Sequence, residues 1–207
     1  MGTPAAAGRT RVLVVEDEWI IAATLAQQLE ACGYEVTGTV GTGTAALWAQ
    51  EEAPADVILM DVQMPVMDGL SATRELMRSR PHAGVVVTGH GGMQEAAERA
   101  GAMEYVMKPL LAHQLPELIG RAQSRFARFR LVHQEEASGE AAVASWLTVQ
   151  KAARVLVEVE GGSEEQAFGH LAGRAREAGR TLREEAACLL WGLDPDDGGA
   201  FPTGIEG

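Results

Sequence analysis

Short apolar runs alternate with stretches of helical spacing over the first half of the chain, and only helical spacing remains in the second. Arg11–Val15, Glu35–Val40, Val57–Asp61, Val85–Thr88 and Glu104–Met107 read as strands. The run Val57-Ile58-Leu59-Met60 has no polar interruption, as expected of a strand buried on both faces. Helices fall between them. Residues 18–32 carry an apolar stripe at Ile21, Leu25, Leu29 and Cys32, which predicts burial of that cysteine, and Gly33 is a plausible stop. Further helices are expected near 44–53, ended by Pro54, at 69–79, and near 93–100, ended by Gly101. Five strands alternating with helices predict a doubly wound parallel sheet.

From Ala112 the spacing predicts one long helix to about Ala137, with Pro116 in its first turn, where a missing N–H is tolerated. Apolar residues at 115, 119, 122, 126 and 129 form a short coiled-coil-like seam. That seam fits either packing on its own domain or pairing with a second copy. Ser138-Gly139 marks a break, and residues 140–191 read as three helices. In the first, Trp146, Val149, Ala153 and Leu156 share a face, opposite Lys151, Arg154 and Glu158. Ser163–Gln166 and Thr181–Glu184 are capping boxes that open the second and third. Ala167, Phe168, Leu171, Ala172 and Ala175 are expected inward in the second, and Ala186, Leu189 and Leu190 in the third. The expected organisation is a leader over 1–10, an α/β domain over 11–120, a connecting helix over 112–138, an all-α domain over 140–191 and an acidic, disordered tail over 192–207.

The formal net charge of −12 argues against non-specific nucleic-acid binding by the whole chain, but its distribution is uneven. Residues 1–112 hold 7 basic and 14 acidic groups, residues 113–191 hold 10 and 11, and the tail holds none and 4. Basic groups are therefore concentrated in the helical part. Two distant cysteines, Cys32 and Cys188, offer neither a disulfide framework nor metal spacing. No run approaches the roughly 18 apolar residues of a membrane helix, and no signal-peptide pattern is visible. The expectation is a cytoplasmic protein without a membrane partner.

The chemistry lies at the strand ends. Glu16 and Asp17 follow the first strand, Asp61 ends the third, Thr88 the fourth, and Lys108 follows the fifth. In a parallel sheet all lie at one rim, where open α/β sheets bind ligands. Three converging carboxylates need a cation, and oxygen ligands with room for water suit Mg²⁺, with the backbone carbonyl of Gln63 as a further ligand. Such a set suits formation of an acyl phosphate on Asp61, with Mg²⁺ and Lys108 neutralising the incoming phosphoryl group and Thr88 offering a hydroxyl. No Walker-type loop is present, so the phosphate must come from elsewhere than directly bound ATP.

These residues, with the stretch Asp61-Val62-Gln63-Met64-Pro65-Val66-Met67-Asp68-Gly69 and Tyr105 three before Lys108, resemble a response-regulator receiver domain over residues 11–120. The resemblance implies a flavodoxin-like sheet of order 2-1-3-4-5 and a cis bond at Lys108-Pro109. It implies phosphorylation of Asp61 by a histidine kinase and Mg²⁺ held by Glu16 and Asp17. It also implies a phosphoryl contact from Lys108 and a switch formed by Thr88 and Tyr105. No separate enzymatic domain is expected. His90, two after Thr88, reads either as a group overhanging the phosphate or as a solvated loop histidine.

Residues 146–191 resemble an ANTAR domain, a three-helix RNA-binding output of transcription antitermination regulators. The matching text runs Ala152-Ala153-Arg154-Val155-Leu156-Val157-Glu158, then Gly162–Phe168, Leu171, and Leu182 to Leu190. The family pattern Ala-Lys-Gly is replaced by Ala152-Ala153-Arg154, which moves the basic residue one place on. RNA loops are read by stacking and by Arg or Lys contacts. The candidate RNA contacts are Lys151, Arg154, His170 and Arg174, with Arg176, Arg180 and Arg183 behind them. The expected function is a response regulator that binds RNA hairpins, and not DNA, to control antitermination. The alternative is a phosphorylation-switched protein-interaction module whose helical output has lost RNA binding.

Overall fold

The computed structural model describes residues 8–192. The expected leader up to residue 7 and the acidic tail from residue 193 lie outside the described residues. Two compact units divide between Ala127 and Arg128.

The first unit holds β1 (Arg11–Val15), α1 (Trp19–Ala31), β2 (Glu35–Val40), α2 (Gly43–Glu52), β3 (Val57–Asp61), α3 (Gly69–Ser79), β4 (Ala83–Thr88), α4 (Gln94–Ala100) and β5 (Glu104–Met107). A single 3-10 turn at Ala112–Gln114 then leads into α5 (Leu115–His133). The sheet is parallel throughout, in the order β2-β1-β3-β4-β5. Every residue of β3 and β4 is buried, in keeping with central strands covered on both faces. The edge strand β2 is only partly covered. Leu13, Val15, Ile58 and Met60 pack with Ala46 of α2 and with Ala72 and Leu76 of α3.

Most expected boundaries agree to within a residue. β4 begins two residues earlier than its β-branched run, because Ala83 and Gly84 continue the ladder opposite Val57 and Ile58. Cys32 is exposed, against the expectation that it continues the buried stripe. The helix ends at Ala31, and Cys32 already turns toward Gly33 at φ +88°, so the buried stripe stops at Leu29. Lys108-Pro109 is cis.

The long helix expected over 112–138 is shorter. α5 stops at His133, because the next residues leave the helix to make other bonds. Within the second unit Glu135 accepts the Leu182 N–H at 3.0 Å, Glu136 accepts the Ser145 hydroxyl, and Ser138 caps the following helix. Leu115, Ile119, Ala122 and Phe129 are all at most 1% exposed. Four positions of the seam are therefore covered within the chain, while the fifth, Phe126, is half-buried.

The second unit begins at Arg128, before the expected start at 140. After the end of α5 it contains α6 (Gly139–Glu160), α7 (Glu164–Ala178) and α8 (Leu182–Trp191). Both capping boxes form: Ser163 with Gln166, and Thr181 with Glu184. Each such cap is worth about 1 kcal/mol. Trp146 lies edge-on to Phe129, with ring centroids 6.2 Å apart, and tilted against Phe168 at 6.4 Å. Leu189 and Leu190 are only half-buried, whereas Leu182, Glu185, Ala186 and Ala187 turn inward.

His82, just before β4, is 3% exposed, with Nδ1 3.4 Å from the Arg80 carbonyl. Burial pushes its pKa from 6.5 down to about 4. Between those values the unfolded chain binds the extra proton and the folded chain does not, so stability falls as pH drops through that window. The loss reaches at most roughly 3 kcal/mol and vanishes above pH 6.5. Urea unfolding at pH 7, 5.5 and 4.5 should show this loss in the wild type and a smaller one in His82→Leu. Equal pH dependence in the two proteins would refute the assignment.

Candidate functional site

Glu16 and Asp61 stand at the C-terminal rim because β1 and β3 are neighbours in register, with Val15 opposite Met60. Their carboxylates are nearly buried, at 4% and 5% exposure, while Asp17 is exposed. One ligand oxygen from each of the three lies within 4.8 Å of the others. Lys108, which follows β5, crosses to this rim. Its Nζ lies 2.7 Å from Glu16 Oε2 and 3.0 Å from Asp61 Oδ1.

The electrostatics are those of two like charges held around one cation. Burial, with the neighbouring Asp61 charge, outweighs the Lys108 ammonium and leaves the Glu16 carboxyl above its ordinary range. Burial alone would lower the Lys108 pKa, but hydrogen bonds to Glu16 and Asp61 more than offset it and keep the ammonium charged. The pocket thus has a cation facing carboxylates that stay close together. Three oxygen donors with one exposed member fit a hard divalent ion that retains water.

The loop after Asp61 orients the carboxylate. The Gln63 N–H donates to Asp61 Oδ2 at 3.0 Å, a bond from the amide of the residue whose carbonyl was expected as a ligand. Asp68 caps α3 through the Ser71 N–H at 2.9 Å. Gly69 packs directly under Asp61: a Cβ there would lie 1.8 Å from the Asp61 carbonyl oxygen. The sequence reading placed Gly69 at the start of a helix and missed this close approach.

Thr88 is fully buried, and its Oγ1 accepts the His90 N–H at 3.2 Å. Tyr105 is half-buried, and its hydroxyl donates to the His90 carbonyl at 2.9 Å. Both side chains expected to form a switch therefore hold the same residue of the β4–α4 loop. His90 itself is exposed, and it is its backbone that the two hydroxyls engage.

The RNA-contact candidates all lie in the second unit. Lys151 is exposed on α6, and Arg154 is half-buried one turn on. His170 lies 3.2 Å from Glu160, and with Arg174 it lines a groove of about 310 Å³ beside Leu156 and Glu177. Arg174 Nε sits 2.7 Å from Glu185, and Arg180 Nη1 lies 3.4 Å from the same carboxylate. Glu185 is 2% exposed, a buried acid that the apolar spacing of α8 did not reveal. Arg174 and Arg180 therefore have structural work as its counter-ions. Arg176 is exposed and Arg183 half-buried.

The response regulator receiver domain model matches residues 12–120. The transcriptional regulatory protein PdtaR of Mycobacterium tuberculosis is 33% identical over 182 residues, covering 87% of this chain and 89% of its own. The chemotaxis protein CheY of Thermotoga maritima is 32% identical over 114 residues, covering 54% of this chain and 95% of that protein. Among solved structures, a CheY-like receiver domain protein from Methanospirillum hungatei superposes with a TM-score of 0.54 at 28% identity, covering 58% of this chain and 98% of that one.

The ion-pair geometry assigns Arg174 and Arg180 a structural role. Arg174→Ala/Arg180→Ala leaves the buried Glu185 carboxylate unpaired and should lower unfolding stability by roughly 3 kcal/mol. Arg174→Ala, with Arg180 still in place, should cost less. Denaturant titrations of both variants test this; equal losses would show that Arg174 alone carries the pair.

Proposed function

The chain belongs to the response regulator receiver family, and on that premise we propose a regulator in which phosphorylation of Asp61 by a histidine kinase controls RNA binding by the helical unit. The observation that carries the phosphoacceptor reading is the Lys108 ammonium seated between Glu16 and Asp61 at the rim of the sheet. A carboxylate oxygen of Asp61 attacks the phosphorus of a phosphohistidine. The N–P bond breaks, and the departing imidazole takes its proton from solvent.

Glu16, Asp17, Asp61 and the Gln63 carbonyl are the groups that would hold Mg²⁺, which when bound supplies positive charge to the phosphoryl oxygens. Lys108 transfers its donors from Asp61 to the new phosphoryl oxygens. That group brings roughly −1.5 to −2 charges and strong acceptors. Thr88 turns its hydroxyl toward them and releases the His90 N–H. Tyr105 holds the other side of His90, so the β4–α4 loop and the Tyr105 ring respond together. The chain carries no separate enzymatic domain in this reading.

For the output, support comes from the extent of the match to a transcriptional regulatory protein. It spans 182 residues, more than the receiver domain holds, and so runs into the helical unit. The ANTAR-like text of α6 and α7 makes RNA hairpins the proposed ligand and antitermination the proposed action. Lys151 and Arg154 on α6 are the foremost contacts, followed by His170 and Arg174. The Arg174–Glu185 pair favours the second reading, a helical unit that docks a protein, because it withdraws one cation from ligand binding.

Labelled phosphate from an autophosphorylated histidine kinase should enter the wild type and be absent from Asp61→Asn. Retention of hairpin RNA should rise with phosphorylation and weaken with salt, and Arg154→Ala should lower the salt slope by about one. Undiminished labelling of Asp61→Asn would overturn the phosphoacceptor assignment. Retention of protein partners with no RNA would select the second reading.

A further inference from the structure

The loop between β3 and α3 contains an unfavourable backbone conformation. Val66 has φ +69° although it is β-branched and 92% exposed. Across it, the Met67 N–H donates to the Pro65 carbonyl at 2.8 Å, closing a three-residue turn. A branched side chain in this region costs energy, and the conformation persists only where its surroundings dictate it.

Two glycines dictate it from opposite sides. The Gly69 N–H donates to the Val62 carbonyl at 3.0 Å, and the Gly43 N–H to the Met67 carbonyl at 3.2 Å. Gly43 is the first residue of α2, which supplies no side chain to the pocket. A Cβ at position 43 would lie 2.8 Å from both Met67 Cγ and Ala72 Cβ, and 2.9 Å from the Met67 carbonyl oxygen. Rotating Met67 would clear one of these contacts, but the backbone oxygen cannot rotate away. The start of α2 is therefore seated against the loop at a separation only glycine permits.

We propose that Gly43 is a positioning residue for the Asp61 pocket, acting through Met67 and the strained loop. This rests on the phosphoacceptor reading of Asp61. The loop's first turn orients the carboxylate, since the Gln63 N–H donates to Asp61 Oδ2. A shift of Met67 is carried back through Val66 and Pro65 to Gln63, and so to the Asp61 carboxylate and the Gln63 carbonyl. Gly69 touches Asp61 directly, whereas Gly43 reaches it only through this loop.

The test uses the full chain carrying Gly43→Ala. Mg²⁺ titration without any phosphodonor, followed by the fluorescence of Trp19 two residues past Asp17, should give a dissociation constant raised about tenfold. Initial labelling by a small acyl phosphate should slow by a similar factor. Gly43→Ala/Val66→Gly frees the loop to move, so thermal stability should recover while Mg²⁺ affinity stays low. If Gly43→Ala alone does not fold, this pair is compared with Val66→Gly. A folded Gly43→Ala with wild-type Mg²⁺ affinity would overturn the proposal, as would a double variant that regains affinity along with stability. A wild type that no donor labels at Asp61 would defeat the phosphoacceptor reading instead, and the Mg²⁺ titration would still decide the role of Gly43.

Discussion

One ammonium between two carboxylates sets the terms for the first unit. Glu16 and Asp61 are almost wholly removed from water, on neighbouring strands, where their charges repel at short range. Leaving either unpaired there would cost several kcal/mol. Lys108 resolves this, but only because β5 ends on the same rim of the same sheet. The parallel order of the strands is therefore a requirement of the charge arrangement as well as of packing. For the proposed phosphorylation of Asp61 the arrangement would also favour exchange, since a phosphoryl group would offer Lys108 more negative charge than the carboxylate it leaves.

The packing around Asp61 serves the same end. β3 is buried throughout, and Gly69 lets α3 begin directly against the Asp61 backbone. The loop between them is held by backbone hydrogen bonds, with the Gln63 amide on the carboxylate itself. By contrast, the β4–α4 loop is tied by two side-chain hydroxyls, those of Thr88 and Tyr105, on either side of His90. Bonds made by rotatable hydroxyls are the ones a new charge can redirect. The pocket thus combines a wall held by backbone bonds, which carries Asp61, with a wall held by side-chain hydroxyls.

Much of this was legible in the residues, and the exceptions share a cause. Strands announce themselves by unbroken apolar runs, and α7 and α8 by capping boxes, since both signals are local. The carboxylates and Lys108 were found because parallel topology sends all strand ends to one rim. What escaped depends on distant neighbours. Glu185 reads as an ordinary surface acid of α8 until Arg174 and Arg180 from earlier in the chain converge on it. Gly43 and Gly69 look like a loop residue and a helix start until the atoms opposite their absent Cβ are known. The early end of α5 follows from Glu135 finding the first amide of α8, 47 residues on. Cys32 fell outside its stripe because periodicity cannot say where a helix stops being covered.

The second unit shows how far charge pattern can mislead about ligand contact. Its basic residues were the natural candidates for RNA, yet Arg174 and Arg180 neutralise the buried Glu185, and His170 stands beside Glu160. A cation committed to a buried acid cannot leave for a phosphate without exposing an uncompensated charge, so its availability to a ligand is reduced by the cost of that exposure. Lys151, exposed on α6 and in no ion pair among those of the described residues, carries no such cost. In the proposed RNA reading, contact therefore falls more heavily on α6 than the distribution of arginines along the sequence suggests. The basic residue moved from position 153 to Arg154 lies, in that reading, on the same helix.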